Sequence, residues 1–127
     1  MKPMSIVPEA TVVGITGSTT LAAAGRSLKT AKIVGAKSVD EAMSMMNSGA
    51  AQAFALTHDS LPPLRRNLPN SRILDGAFQI TGVAIAVPKD RPEALAFVKH
   101  FVEGAKSDGT IRRAFDAAGL SGLPITP

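Results

Sequence analysis

The chain of 127 residues has no cysteine, no tryptophan and no tyrosine. Without thiols it can form no disulfide framework, no thiolate metal site and no cysteine nucleophile; their absence does not separate a cytoplasmic from an exported protein. Five phenylalanines are its only aromatic residues, so Val, Ile, Leu, Ala and Met must supply the core. Aromatic platforms for stacking nucleic-acid bases are missing for the same reason. No apolar run approaches the ~20 residues of a membrane-spanning helix. The opening MKPMSIVPEA has one lysine and two prolines but no apolar stretch, and does not read as a signal peptide. The expectation is a cytoplasmic protein, or one whose export signal lies upstream of this sequence. Motifs of catalysis are scarce too: there is no nucleophile elbow, no paired carboxylates, no zinc spacing and no Ser-His-Asp set. No catalytic residue, metal ligand or cofactor is expected, and the chain does not read as an enzyme.

What is present fits one ordinary globular domain, with 45% hydrophobic and 19% charged residues. The net charge is +4 and the isoelectric point about 9.9. The basic residues are scattered, with LRRN and IRRAF the only adjacent pairs. That pattern reads as a solvated basic face, and no nucleic-acid partner is expected.

Along the chain, β-branched runs alternate with helical spacing. Val12–Ile15 predicts a strand, and Ser18 or Thr19 can cap a helix reaching about Leu28. Lys32–Ala36 is a second apolar run. Ser38 and Glu41 form an S-x-x-E capping box for a helix that Gly49 stops. Ala53–Thr57 predicts a third strand, and Asp59 a cap for the short helix in SLPPLRRNL. Arg72–Leu74 and Val83–Val87 read as a fourth and a fifth strand. Asp90 is the expected cap of a helix opened by Pro92, with Leu95, Phe97, Val98, Phe101 and Val102 spaced to bury one face. A last helix runs from Ser107 or Asp108 to Ala117 and ends at Gly119. This alternation predicts an α/β fold, a mostly parallel sheet flanked by helices. The expected divisions are a leader over 1–11, an α/β unit over 12–82, and a strand with helices over 83–127.

In such sheets ligands bind beyond the carboxyl ends of the strands, against helix N-termini. VVGITGSTT falls at that place. Gly17 permits close backbone approach, while Ser18, Thr19 and Thr20 bring hydroxyls and first-turn N–H groups. Gly-Ser-Thr is equally ordinary helix-cap chemistry, and the stretch is neither a Walker A loop nor G-x-G-x-x-G. Thr57, His58 and Asp59 end the third strand at the same edge. A lone histidine is more often a surface group than a base or ligand, and His100 has no metal-spaced partner. Met43, Met45 and Met46 read as packing residues.

Three stretches in order, VVGITGSTTLAAAGRSL, AKIVGAKSVDEAMSMMNSGAAQAFALTHDSL and GVAIAVPKDRPEALAFVKHFVEGAKSDGTIRRAFDAAGL, give the chain a resemblance. Over roughly Thr11 to Leu120 it resembles the type II periplasmic substrate-binding proteins of ABC importers, in particular the family 3 group for polar amino acids and related solutes. The resemblance implies two α/β lobes closing on a small polar or anionic solute, with the importer's membrane subunits as partner and the periplasm as location. It matches only the later part of such a protein: most of the second lobe to about Leu74, a return crossing at Ala77–Thr81, and from Val83 the part completing the first lobe. Gly17, Ser18 and Thr19 match the loop that holds a ligand carboxylate. The family's acid for an α-ammonium falls on Thr57 here, with Asp59 two residues on, which puts a standard α-amino acid ligand in question. Gln79 and Thr81 fall on the crossing, with Gln79 a ligand-binding candidate. A partial binding protein would leave surface uncovered, so self-association is expected, with exchange of the C-terminal helices as one form. The alternative reading is a ligand-sensing regulatory domain of the same fold.

Overall fold

The computed structural model describes residues 9–125; most of the expected leader over 1–11 therefore lies outside the described residues. The strands are β1 (Thr11–Ile15), β2 (Lys32–Ala36) and β3 (Ala53–Phe54). The helices are α1 (Thr19–Ser27), α2 (Val39–Ser48), α3 (Leu61–Arg65), α4 (Pro92–Ser107) and α5 (Thr110–Ala117). The chain divides into two compact units, Met1–Ile80 and Thr81–Pro127.

The first unit is an α/β fold around a three-stranded parallel sheet of order β2-β1-β3. Thr11 to Ile15 pair with Lys32 to Ala36, and Val12 and Val13 pair with Ala53 and Phe54. Side chains alternate across a strand with a period of two, and the two cores follow that alternation. Val13 and Ala36 pack with Ala42 of α2 and Ala51, supported by Ile15, Val34 and Phe54. Val12 and Ala55 pack on the other side with Ala24 of α1, supported by Ile33, Ala53 and Phe78. Each helix therefore covers its own face of the sheet. The core residues are small, with Val12 and Val13 the largest fully buried side chains.

Local signals explain the first two helices. Ser18 Oγ accepts from the Leu21 N–H at 3.1 Å to cap α1. Ser38 Oγ accepts from the Glu41 N–H at 3.1 Å, and the Glu41 carboxylate turns back to accept from the Lys37 N–H, one residue before the cap. Gly49 ends α2 at φ 79°, a left-handed conformation that only glycine adopts without strain.

Several expectations are corrected. Arg72–Leu74 and Val83–Val87 form no strand: neither finds a neighbouring strand, and an apolar run alone supplies no ladder. β3 is two residues long rather than five, although the Ala55 N–H extends its pairing by donating to the Val13 carbonyl at 2.8 Å. Asp59 and Asp90 do not cap: Ser60 and Arg91 precede α3 and α4, and neither contributes a side-chain cap bond. Asp90 instead has a positive φ of 55°.

The second unit contains the helices α4 and α5, joined through Asp108 and Gly109. Asp108 Oδ1 accepts from the Thr110 N–H at 2.8 Å, and Gly109 takes φ 80°. Arg112 fastens the C-terminal turn by donating to the Leu123 carbonyl at 2.9 Å and the Leu120 carbonyl at 3.3 Å. The expected buried face of α4 is not buried: Leu95, Phe97 and Phe101 all face solvent.

Candidate functional site

β1 lies between β2 and β3, so the connections from it through α1 and back through α2 leave in opposite directions. Where a parallel sheet reverses its winding in this way, a crevice opens beyond the carboxyl ends of the two strands at the reversal. Here those strands are β1 and β3, and the segments leaving them are Thr16–Ser18 and Leu56–Ser60.

The first segment turns tightly. The Thr16 N–H donates to the Ala36 carbonyl at 2.8 Å, continuing the ladder one residue beyond β1. The Ser18 N–H donates to the Ile15 carbonyl at 3.0 Å, closing a turn whose third residue, Gly17, has φ 79°. A side chain at Gly17 would meet nothing within 4 Å, so the backbone conformation and not space selects glycine there. Ser18 then caps α1 through Oγ, and its carbonyl accepts from the Ala22 N–H at 3.2 Å. The N–H groups of Thr19 and Thr20, in the first turn of α1, have no acceptor among the described hydrogen bonds. No acceptor for the Ser18 hydroxyl is found among the described hydrogen bonds either.

Of the two longer helices that start at this edge of the sheet, α1 and α2, only α1 suits an anion. The first turn of α2 carries Asp40 and Glu41, and the Glu41 carboxylate takes the Lys37 N–H. The first turn of α1 has no acidic residue. Its open N–H groups and positive dipole end therefore face solvent uncompensated.

From β3 the chain leaves through Leu56 into a turn in which the Ser60 N–H donates to the Thr57 carbonyl at 3.0 Å. The Thr57 and Ser60 hydroxyls lie 2.9 Å apart in a hydrogen bond. Thr57, His58 and Asp59 are exposed. The topology brings Gly17, Ser18 and Thr19 to one edge of the sheet with Thr57 and Asp59. Gln79 is not among them. Its neighbour Phe78 packs against the cluster of Val12, Ala24 and Ala55, and the Phe78 carbonyl accepts from Ser27 Oγ at 3.5 Å. Ser27 ends α1, so Gln79 sits about 12 Å along the helix from the open N–H groups.

Thr16 was not singled out in the sequence, yet its hydroxyl occupies the space above Gly35, where an added Cβ would collide with Thr16 Oγ1. A glycine inside the KIVGA strand pattern is the signal of such a close approach. Among the described residues no three His, Asp or Glu side chains gather as metal ligands do, and no helix is long and apolar enough to cross a membrane. No protein-family model, no curated protein and no solved structure matches this chain.

Proposed function

We propose that the chain is a solute-binding component of an ABC import system, working outside the cytoplasm and handing a small polar or anionic solute to the importer's membrane subunits. The observation that carries the reading is the first turn of α1. Open N–H groups of Thr19 and Thr20 and the Ser18 hydroxyl stand at the winding reversal between β1 and β3, with no acid in that turn. A carboxylate or similar anion held there accepts these donors and gains from the helix dipole. Thr57 and Asp59, leaving β3 at the same edge, supply the polar groups for the solute's other end. The periplasmic-binding-protein lobe is the finer form of the α/β fold that this reading adopts. The chain performs no chemistry on the solute.

The test is thermal unfolding against amino acids, organic acids, phosphonates and sulfonates. A solute at 100 times its dissociation constant stabilises the folded chain by about 2.7 kcal/mol. Ser18→Asp keeps an N-cap oxygen for the Leu21 N–H but places a negative charge where the anion sits. The proposal expects a stabilising anion whose effect Ser18→Asp removes while the variant stays folded. A panel without any shift, or a shift that survives Ser18→Asp, refutes the anion site.

A further inference from the structure

We propose that the second unit is a homodimerisation element, in which residues 83–87 of two copies pair antiparallel across a two-fold axis at Ile85 and α4 lays its apolar flank over the seam. This inference stands apart from the solute reading. Among the described residues, no backbone N–H or C=O of residues 81–88 takes part in a hydrogen bond within the chain. The same stretch, TGVAIAVP, has no charged residue. It is an unpaired, β-branched edge of the kind that recruits another strand.

The apolar surface beside it has the size of an interface. Val83 is 88% exposed, Ile85 59%, Leu95 54%, Phe97 74% and Phe101 60%. For side chains of ~150–200 Å² this leaves about 600 Å² of large apolar surface on the unit. The figure is at the upper end of the ~300–600 Å² typical of the largest patch on a monomer, and near the ~800 Å² each partner gives a standard interface. Four residues separate Val87 from Pro92, so the end of the segment and the start of α4 lie within ~18 Å of each other. At 100° per residue, Phe97, Phe101, Ala105, Val98, Val102 and Leu95 share an arc of about 160° on α4. Of these six only Ala105 is buried, although α5 packs on the helix.

A second copy satisfies the chemistry better than an arbitrary partner because the segment is self-complementary. About an axis at Ile85, Val83 faces Val87 of the second copy and Ala84 faces Ala86. The charged residues Lys89, Asp90 and Arg91 fall opposite Thr81, Ile80 and Gln79, so no like charges meet. Pro88, without an N–H, ends the ladder at both sides. The contact pairs one edge of the segment with the same edge of a second copy, an isologous interface that closes at two chains through that edge.

The experiment is light scattering and sedimentation over a concentration series, together with cysteine trapping. The proposal expects a species of twice 13.1 kDa. Ile85→Lys should raise the dimer dissociation constant at least tenfold without changing far-ultraviolet circular dichroism, since Ile85 is exposed within the chain. Because the chain has no cysteine, Ile85→Cys can form a disulfide only with its own copy. On mild oxidation it should give covalent dimer much faster than Asn47→Cys, placed on exposed α2 surface in the first unit. Three results overturn the proposal: a monomer throughout, open-ended oligomers in place of a dimer, or Ile85→Cys trapping no faster than Asn47→Cys.

Discussion

Gly14 is a point at which α1 packs tightly on the sheet, and replacing it tests that packing. The residue is buried in the central strand and its φ is not positive, so a side chain there is opposed by space and not by backbone strain. A Cβ would lie 2.8 Å from Leu21 Cδ1, 3.3 Å from Leu21 Cβ and 3.5 Å from the Ala55 carbonyl oxygen. The Leu21 methyl can rotate away; its Cβ is rooted in α1, so the helix must move by a few tenths of an ångström. Overpacking of this kind costs about 1–3 kcal/mol. The smaller conformational freedom of alanine in the unfolded chain returns about 0.4–1 kcal/mol. Gly14→Ala should therefore destabilise the first unit by about 1–2 kcal/mol, which in a unit of 80 residues is a fall in Tm of about 5–10 °C. Urea and thermal unfolding of the wild type, Gly14→Ala, Leu21→Ala and the double variant form the cycle. Leu21→Ala makes room for the new methyl group, so the double variant should lose about 1 kcal/mol less than the two single losses together. A Gly14→Ala chain as stable as the wild type, or strict additivity in the cycle, refutes the packing argument.

Further outcomes follow from the helix ends. Ser38→Ala removes the acceptor for the Glu41 N–H and should cost about 1 kcal/mol in urea unfolding; a change within error would mean the capping box contributes nothing to α2. The Asp108 carboxyl is held below its usual value of 3.8 by hydrogen bonds from the Thr110 side chain and then the Thr110 N–H, with the Arg113 charge adding to them. A depressed folded value means the stabilisation is complete above the ordinary carboxylate range and fades as pH falls through the folded value. Asp108→Asn should thus lower the stability of the α4–α5 turn near pH 7 and converge on the wild type below about pH 4. A difference that stays constant between pH 7 and pH 3 would count against this assignment.

What the sequence made legible was local. Ser18, Ser38, Glu41 and Gly49 act within a few residues of themselves, and each does what its type and position predict. The first three strands along the chain and their parallel pairing were legible for a related reason, since β-α-β alternation favours parallel strands; their spatial order β2-β1-β3 was not read from the sequence. The expectations at Arg72–Leu74 and Val83–Val87 failed because a strand is a relation between two segments, and a run of apolar residues states only one of them. The Asp59 and Asp90 expectations failed more narrowly. In each case the backbone enters the helix one residue later, beyond the reach of the carboxylate. Of the candidate site, the sequence showed the chemistry of Gly17, Ser18 and Thr19 and the shared edge with Thr57 and Asp59. It did not show that Gln79 lies at the far end of α1, since that depends on the Phe78 carbonyl meeting Ser27 Oγ across 51 positions.

The two registers of the sheet also carry a consequence for the order in which the chain assembles. Thr11 pairs with Lys32, 21 positions along, whereas Val12 pairs with Ala53, 41 positions along. Closing a loop twice as long costs about 0.6 kcal/mol more in chain entropy. The longer closure is also rewarded less, by two paired residues on β3 against five on β2. The β1-α1-β2 half, with its open N–H groups, thus has the smaller barrier to form and β3 docks afterwards. The segment with Thr57 and Asp59 then joins the edge that carries Ser18 and Thr19 in the last step, so any ligand touching both would slow the undocking of β3 before it slowed any other part of unfolding.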